Sequence, residues 1–204
     1  LYARLCDADW EALIVAEPER ALALADEAEA VWRDLPRSET RTLDLAPVRE
    51  QRRECWVVNS QVSFCAKAYP TVPSGHPDAA ALTVLAGYLR NGFLHRAIRE
   101  QGGAYGGGAS HDAGSAAFRF FSYRDPRIAG TLDDFDASIA WLQDTSISPA
   151  ALEEAILGVI SSVDKPGSPA GEAKQDFHNR RFGRDHAHRQ AFRQRILEVS
   201  LDDL

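Results

Sequence analysis

The 204-residue chain contains no methionine and only three cysteines, Cys6, Cys55 and Cys65. Three is an odd number, and no two of them stand in C-x-x-C spacing, so neither a disulfide framework nor a thiolate zinc site is indicated. Cys55 and Cys65 fall in apolar, strand-like surroundings and are expected to be buried, reduced thiols. No apolar run approaches the ~18 residues of a membrane-spanning helix, no signal-peptide pattern is legible, and no membrane partner is expected. A surplus of positive charge is missing too. The formal net charge is −7, which argues against a nucleic-acid partner, because that needs a basic face. With no Met, and with ends (Leu1 and "VSLDDL") that do not read as natural termini, the chain is expected to be a segment of a longer protein.

What is present is ordinary for a globular protein: 45% apolar and 26% charged residues. The length suffices for one large domain or two small ones. Residues 8–34 show apolar spacing of three and four and read as helix, broken in two at Pro18. "TLDLAPV" at 42–48 alternates weakly as a strand. "ECWVVNSQVSFCAKAY" at 54–69 is a stronger strand, with Val58, Ser60, Val62, Phe64 and Ala66 on one face. Pro77 to about Glu100 is the longest and most apolar helix. "AYGGGASH" (104–111) and "AAFRFFSYR" (116–124) flank the turn signal "DAGS" and are expected to form a hairpin. Helical runs follow at 128–143, 148–163 and 167–197, the last broken near Gly183. Ser before Pro opens two of them. This order predicts an α+β fold, a mostly antiparallel sheet covered by helices. The expected division is an N-terminal helical segment, 1–36, packed on or linked to an α+β domain, 37–204.

Six glycines fall within the thirteen residues from Gly102 to Gly114. A phosphate cradle fails on direction: there the glycines precede a helix, whose N-terminus faces the anion. Here a helix comes first and a strand follows, and no G-K-[ST] is present. Gly102 or Gly103 suits a left-handed helix closure. Gly106 to Gly108, inside a strand, mark either a bulge or the close approach of another backbone. Tyr105 sits between the two groups and Arg99 lies six residues earlier. A cation and a phenol at such a mouth can hydrogen-bond a peptide carbonyl and steady a developing oxyanion. Equally, Arg99 can offset the helix C-terminal dipole while Tyr105 packs at a sheet edge. The six histidines, at 76, 95, 111, 178, 186 and 188, fall in neither H-x-x-E-H nor H-E-x-x-H. They read as surface or structural residues, and no metal site is expected in this chain.

The string "LHRAIREQGGAYGGGA", then "FRFFSYRDP" and "TLDDF", resembles the C-terminal half of the insulinase/pitrilysin superfamily of inverted zinc peptidases, with the presequence proteases as the group most alike. The flanking "CWVVNSQVSFCAKAYP" and "RQAFRQRILEVSLDDL" agree, and the likeness covers roughly residues 50–204. It implies a LuxS/MPP-like metallohydrolase domain that closes over substrate in a hinged clamshell. Zinc would be bound by a different domain of the same polypeptide. Tyr105 would be the tyrosine and Arg99 the arginine supplied to the active site, with Arg96 one turn earlier as an alternative. The glycines, Gly106 and Gly107 foremost, would let Tyr105 approach an extended peptide. The resemblance thus implies a zinc-dependent enzyme degrading unfolded peptides, this segment being inactive alone, in a bacterial cytoplasm or an organelle matrix. The alternative it leaves is a structural or peptide-binding subunit without the zinc site.

Overall fold

A computed structural model of the chain describes residues 11–33 and 50–204. Its elements are α1 (Pro18–Trp32), β1 (Ser63–Pro70), α2 (Ala79–Leu89), β2 (Gly106–Asp112), β3 (Ala117–Asp125), α3 (Ala129–Asp144), α4 (Pro149–Val163), α5 (Pro169–Arg181) and α6 (His186–Leu197). After Leu89 the helix continues as a π-helix over Arg90–Gln101. The sheet order is β1-β3-β2, with both pairs antiparallel. The α+β architecture expected from the sequence is the one found.

The chain divides into two compact units, Gln51–Lys165 with His186–Leu204, and Leu1–Glu50 with Pro166–Asp185. In the smaller unit Arg181 pairs with Glu11 at 2.6 Å. Ser168 caps α5 by accepting a hydrogen bond from the Gly171 N–H, as the Ser-Pro start predicts.

The larger unit is built on the hairpin. Asp112 accepts from the N–H groups of Gly114 and Ser115, the side-chain turn that such a position favours. The chain reverses there, and β2 and β3 pair in unbroken register from Asp112–Ala117 to Gly106–Tyr123. One sheet face is apolar. Cys65, Ala109, Phe118 and Phe120 meet Leu89 of α2, Leu94 and Ile98 of the π-helix and Phe135 of α3. Each large side chain buried here contributes about 1.5–3 kcal/mol. A second cluster joins Val84 and Tyr88 of α2 to Leu152 and Ala155 of α4 and to Ile196 and Val199. Trp141 of α3 borders both, stacked on Tyr88 at 5.4 Å and tilted against Phe93 at 5.7 Å.

Several expectations need correction. The first strand begins at Ser63, and 51–62 carry no strand pairing. Trp56, Val57 and Val58 are exposed there, and so is Cys55, against the expected burial. Within β1 the buried face carries Cys65, while Phe64 and Ala66 point outward. Both faces of the run are apolar, so alternation alone could not choose between them. Pairing with β3 makes the choice by setting Cys65 opposite the buried Ser122. Residues 11–17 are not helical, and the helix begins with Pro18 in its first turn. Residues 8–10, the weak strand at 42–48 and Cys6 lie outside the described residues.

Candidate active site at the helix-to-strand junction

The junction between the π-helix and β2 is shaped by glycines, each for a different reason. Gly103 takes the left-handed conformation, φ +79°. The N–H of Gly103 donates to Arg99 O and that of Ala104 to Ile98 O, closing the helix end. Gly102, one residue earlier, is buried beneath the guanidinium of Arg127. That guanidinium donates to Ala97 O at 3.4 Å and to Asp134 at 2.8 Å. The electronegative helix end thus has two cations: Arg99 in its last turn, as the dipole reading expects, and Arg127 hydrogen-bonded to the Ala97 carbonyl.

The strand glycines are explained by this chain's own packing. The Tyr123 ring lies over Gly106, its cross-strand partner. A Cβ on Gly107 would stand 2.8 Å from Phe121 O and 2.9 Å from Ile98 Cγ2, and one on Gly108 would meet the Arg90 stem at 2.9 Å. The regular β2–β3 register contains no bulge at these residues. Gly106 and Gly108 are buried and Gly107 is half-buried. The space their missing side chains leave is filled from within, so accommodating a visiting backbone is not what requires them.

Tyr105 emerges where the backbone leaves the helix cap. Its N–H donates to Arg124 O at 3.2 Å, which fixes its backbone on the end of β3. Its side chain is 61% exposed. The ring tilts against Tyr123 at 5.7 Å, and the guanidinium of Arg124 lies 5.4 Å from its centroid. Arg99, in the last helical turn, and Arg96 are both exposed. Neither makes a side-chain hydrogen bond or ion pair among the described residues. Tyr105 and Arg99 flank one junction with no hydrogen bond or cation–ring pairing between them among the described residues, and the cation on the Tyr105 ring is Arg124. The "SYRDP" run carries part of the family resemblance in the sequence, but nothing there singles out Arg124. Its place over the ring goes with a left-handed backbone, φ +50°, at a register shift between β1 and β3.

The turn after β3 is held by a buried carboxylate. Asp125 is 0% exposed and accepts from the Thr131 hydroxyl at 2.7 Å and from the Arg127 N–H at 2.9 Å. Four of the six histidines are engaged elsewhere. His76 pairs with Asp78 and His95 with Glu100, and His188 bonds Ser74. His111 sits between the Val72 carbonyl (3.1 Å) and the Thr83 hydroxyl (3.2 Å), and burial pushes its pKa down. Burial likewise pushes the Cys65 thiol up, away from thiolate chemistry. No group of three or more His, Cys, Asp or Glu side chains suited to a metal ion occurs among the described residues. These residues do not fit a zinc site. A hollow of about 520 Å³ between the start of α2 and the C-terminal segment, lined in part by Asp78, Arg195 and Glu198, shares no residue with the junction.

A helix-backed antiparallel sheet of this kind is found in proteases. A Bordetella pertussis protein described as a zinc protease superposes with a TM-score of 0.56 at 20% identity, over 70% of this chain and 86% of that one. That likeness establishes the fold. Residues 53–204 match the family model described as the PreP C-terminal domain, and the chain belongs to that family. The mitochondrial presequence protease of Kluyveromyces lactis is 41% identical over 145 residues, 71% of this chain and 14% of that protein. Its Mus musculus counterpart is 35% identical over 154 residues, 76% of this chain and 14% of that protein. The chain therefore spans about one-seventh of the length of these relatives. The resemblance carried by "REQGGAYGG" and "SYRDP" holds, and the chain is a peptidase-family domain.

Proposed function

We propose that this chain acts as the C-terminal domain of a zinc-dependent, peptide-degrading metalloendopeptidase, closing over an unfolded peptide and presenting Tyr105 and Arg99 to the scissile carbonyl. The observation that carries the reading is the state of Tyr105. Its ring is held through its backbone and its faces, while its hydroxyl makes no hydrogen bond among the described residues and the residue is 61% exposed. A phenol O–H so placed is free to donate. Arg99, with its guanidinium uncommitted, is the second donor, and Arg96 is the alternative one turn back. When a peptide carbonyl becomes tetrahedral its oxygen gains negative charge, and one preorganised donor to that oxygen is worth about 2.7–4 kcal/mol. Gly106 and Gly107 serve the site by letting Tyr123 and Ile98 close against the strand that follows Tyr105.

Zinc enters this reading only as a component of another domain of the same polypeptide, and the segment alone is expected to be inactive. The body that closes is taken as 37–204, with 1–36 as a separate N-terminal segment. The relatives' mitochondrial designation favours an organelle matrix, with a bacterial cytoplasm as the other setting.

The test is Tyr105→Phe in the full-length enzyme, assayed on an unfolded peptide. Turnover should fall about ten- to a thousandfold if one oxyanion donor is lost. Unchanged turnover would overturn the assignment. A full-length sequence with no H-x-x-E-H motif in its other domains would make the assembly a non-catalytic peptide-binding or structural subunit instead.

A further inference from the structure

Arg124 is one of two non-glycine residues described with a left-handed backbone; the other, Ala116, lies in the hairpin turn. Left-handed φ is unfavourable for a long side chain, and persists only where the surroundings impose it. Arg124 is the extra residue of a β-bulge: β1 pairs Ser63 with Asp125 and Phe64 with Tyr123, leaving Arg124 without a partner there, and such a bulge re-aims the side chain it carries. Arg124 belongs to β3, one residue before the buried Asp125. Its side chain is exposed and forms no ion pair or side-chain hydrogen bond among the described residues. Its one side-chain contact of note is the face of the Tyr105 ring, at 5.4 Å. A guanidinium in that position is attracted by the ring quadrupole. The same residue's carbonyl accepts the Tyr105 N–H. Arg124 therefore holds Tyr105 twice, by backbone and by ring face, and Tyr123 supports the ring from another side at 5.7 Å.

We infer that Arg124 is a positioning residue for the Tyr105 phenol, its left-handed backbone being the means by which the guanidinium reaches the ring. The inference rests on the reading of Tyr105 as an oxyanion donor. Without the guanidinium, an exposed tyrosine samples other rotamers, and the hydroxyl is presented to the carbonyl for a smaller fraction of the time. The structural alternative, that Arg124 serves the fold, predicts the opposite behaviour on substitution by glycine. Glycine adopts φ +50° freely, so Arg124→Gly relieves backbone strain.

The experiment uses the full-length enzyme with an unfolded peptide substrate, comparing Arg124→Gly, Arg124→Lys, Tyr105→Phe and the Arg124→Gly/Tyr105→Phe double variant. Arg124→Gly is expected to lower kcat by about 5- to 50-fold, the scale of a misplaced catalytic group, while thermal stability holds or rises. KM should move by less than about twofold, since substrate binding is not what is lost. Arg124→Lys, which keeps a cation for the ring, should recover part of the activity. In the Tyr105→Phe background Arg124→Gly should lower kcat by less than about twofold more, because the two act as a unit. If Tyr105→Phe impairs turnover but Arg124→Gly does not, or if the two losses multiply, the inference is overturned while the role of Tyr105 survives. If Tyr105→Phe leaves turnover intact, the underlying reading fails and the inference goes with it.

Discussion

The guanidinium of Arg127 occupies the position that a side chain on Gly102 would need. This one relationship ties the end of the π-helix to the start of α3, because Arg127 also reaches Ala97 O and Asp134. Gly102→Ala should displace that guanidinium and loosen both elements. The expected loss is about 1–3 kcal/mol, measured by chemical denaturation. An alanine variant as stable as the parent would show that Arg127 has a second, equally good seat.

Two glycines make an internal comparison. At Gly107 a methyl would meet backbone and a packed side chain, Phe121 O and Ile98 Cγ2. Neither can yield without moving the sheet or the helix, so Gly107→Ala should destabilise by about 1–3 kcal/mol. Gly158 lies mid-helix in α4, with nothing within 4 Å of where a Cβ would stand. Gly158→Ala should stabilise by about 0.5–1 kcal/mol. Denaturation midpoints moving in the same direction for both would contradict this account.

Thr131→Val tests the buried carboxylate. It removes the hydroxyl that donates to Asp125 Oδ2 and keeps the side-chain shape. A buried acceptor left without its donor costs about 1–3 kcal/mol. Urea unfolding should show that loss, and Thr131→Ser, which restores a donor, should recover most of it.

His111 gives the chain a pH dependence with a definite sign. Burial lowers its pKa in the folded state relative to the ordinary imidazole value near 6.5. Its Nε2 faces a carbonyl and carries the ring proton, and Nδ1 faces the Thr83 hydroxyl. Between the two pKa values the unfolded state binds more protons, so stability rises with pH. The contribution is therefore complete above about pH 6.5 and is lost as pH falls through the folded value. Asp112, next in the chain, opposes the shift but does not reverse it. Thermal melts from pH 7.5 to 5 should show a shallower slope for His111→Gln than for the parent, and parallel slopes would remove His111 from the explanation.

Much of this architecture was legible in the residues. Proline and serine marked the starts of α1, α4 and α5, and the glycine pair marked the helix end, because these are local steric and hydrogen-bonding rules. The apolar spacing Leu85, Leu89, Leu94, Ile98 announced a long buried helix. It did not announce the π-helical winding, although the five-residue step from Leu89 to Leu94 is its trace. The face of β1 was misjudged because Phe64 and Cys65 are both apolar, and only pairing with β3 decides between them. Tyr105 and Arg99 could be picked out by type and spacing. Arg124 and Arg127 could not, because each acts across the junction through a backbone conformation or a vacant Cβ position that no single-chain pattern encodes.

The outward face of β1 bears on how the domain behaves in a tube. Phe64 is 68% exposed and follows closely on Trp56, Val57 and Val58, at 83%, 95% and 66%. So much bare hydrocarbon beside a sheet edge invites sticking between copies. Samples of the severed domain will elute later on dilution than at high concentration, and replacing Val57 by lysine should be the simplest way to keep it soluble.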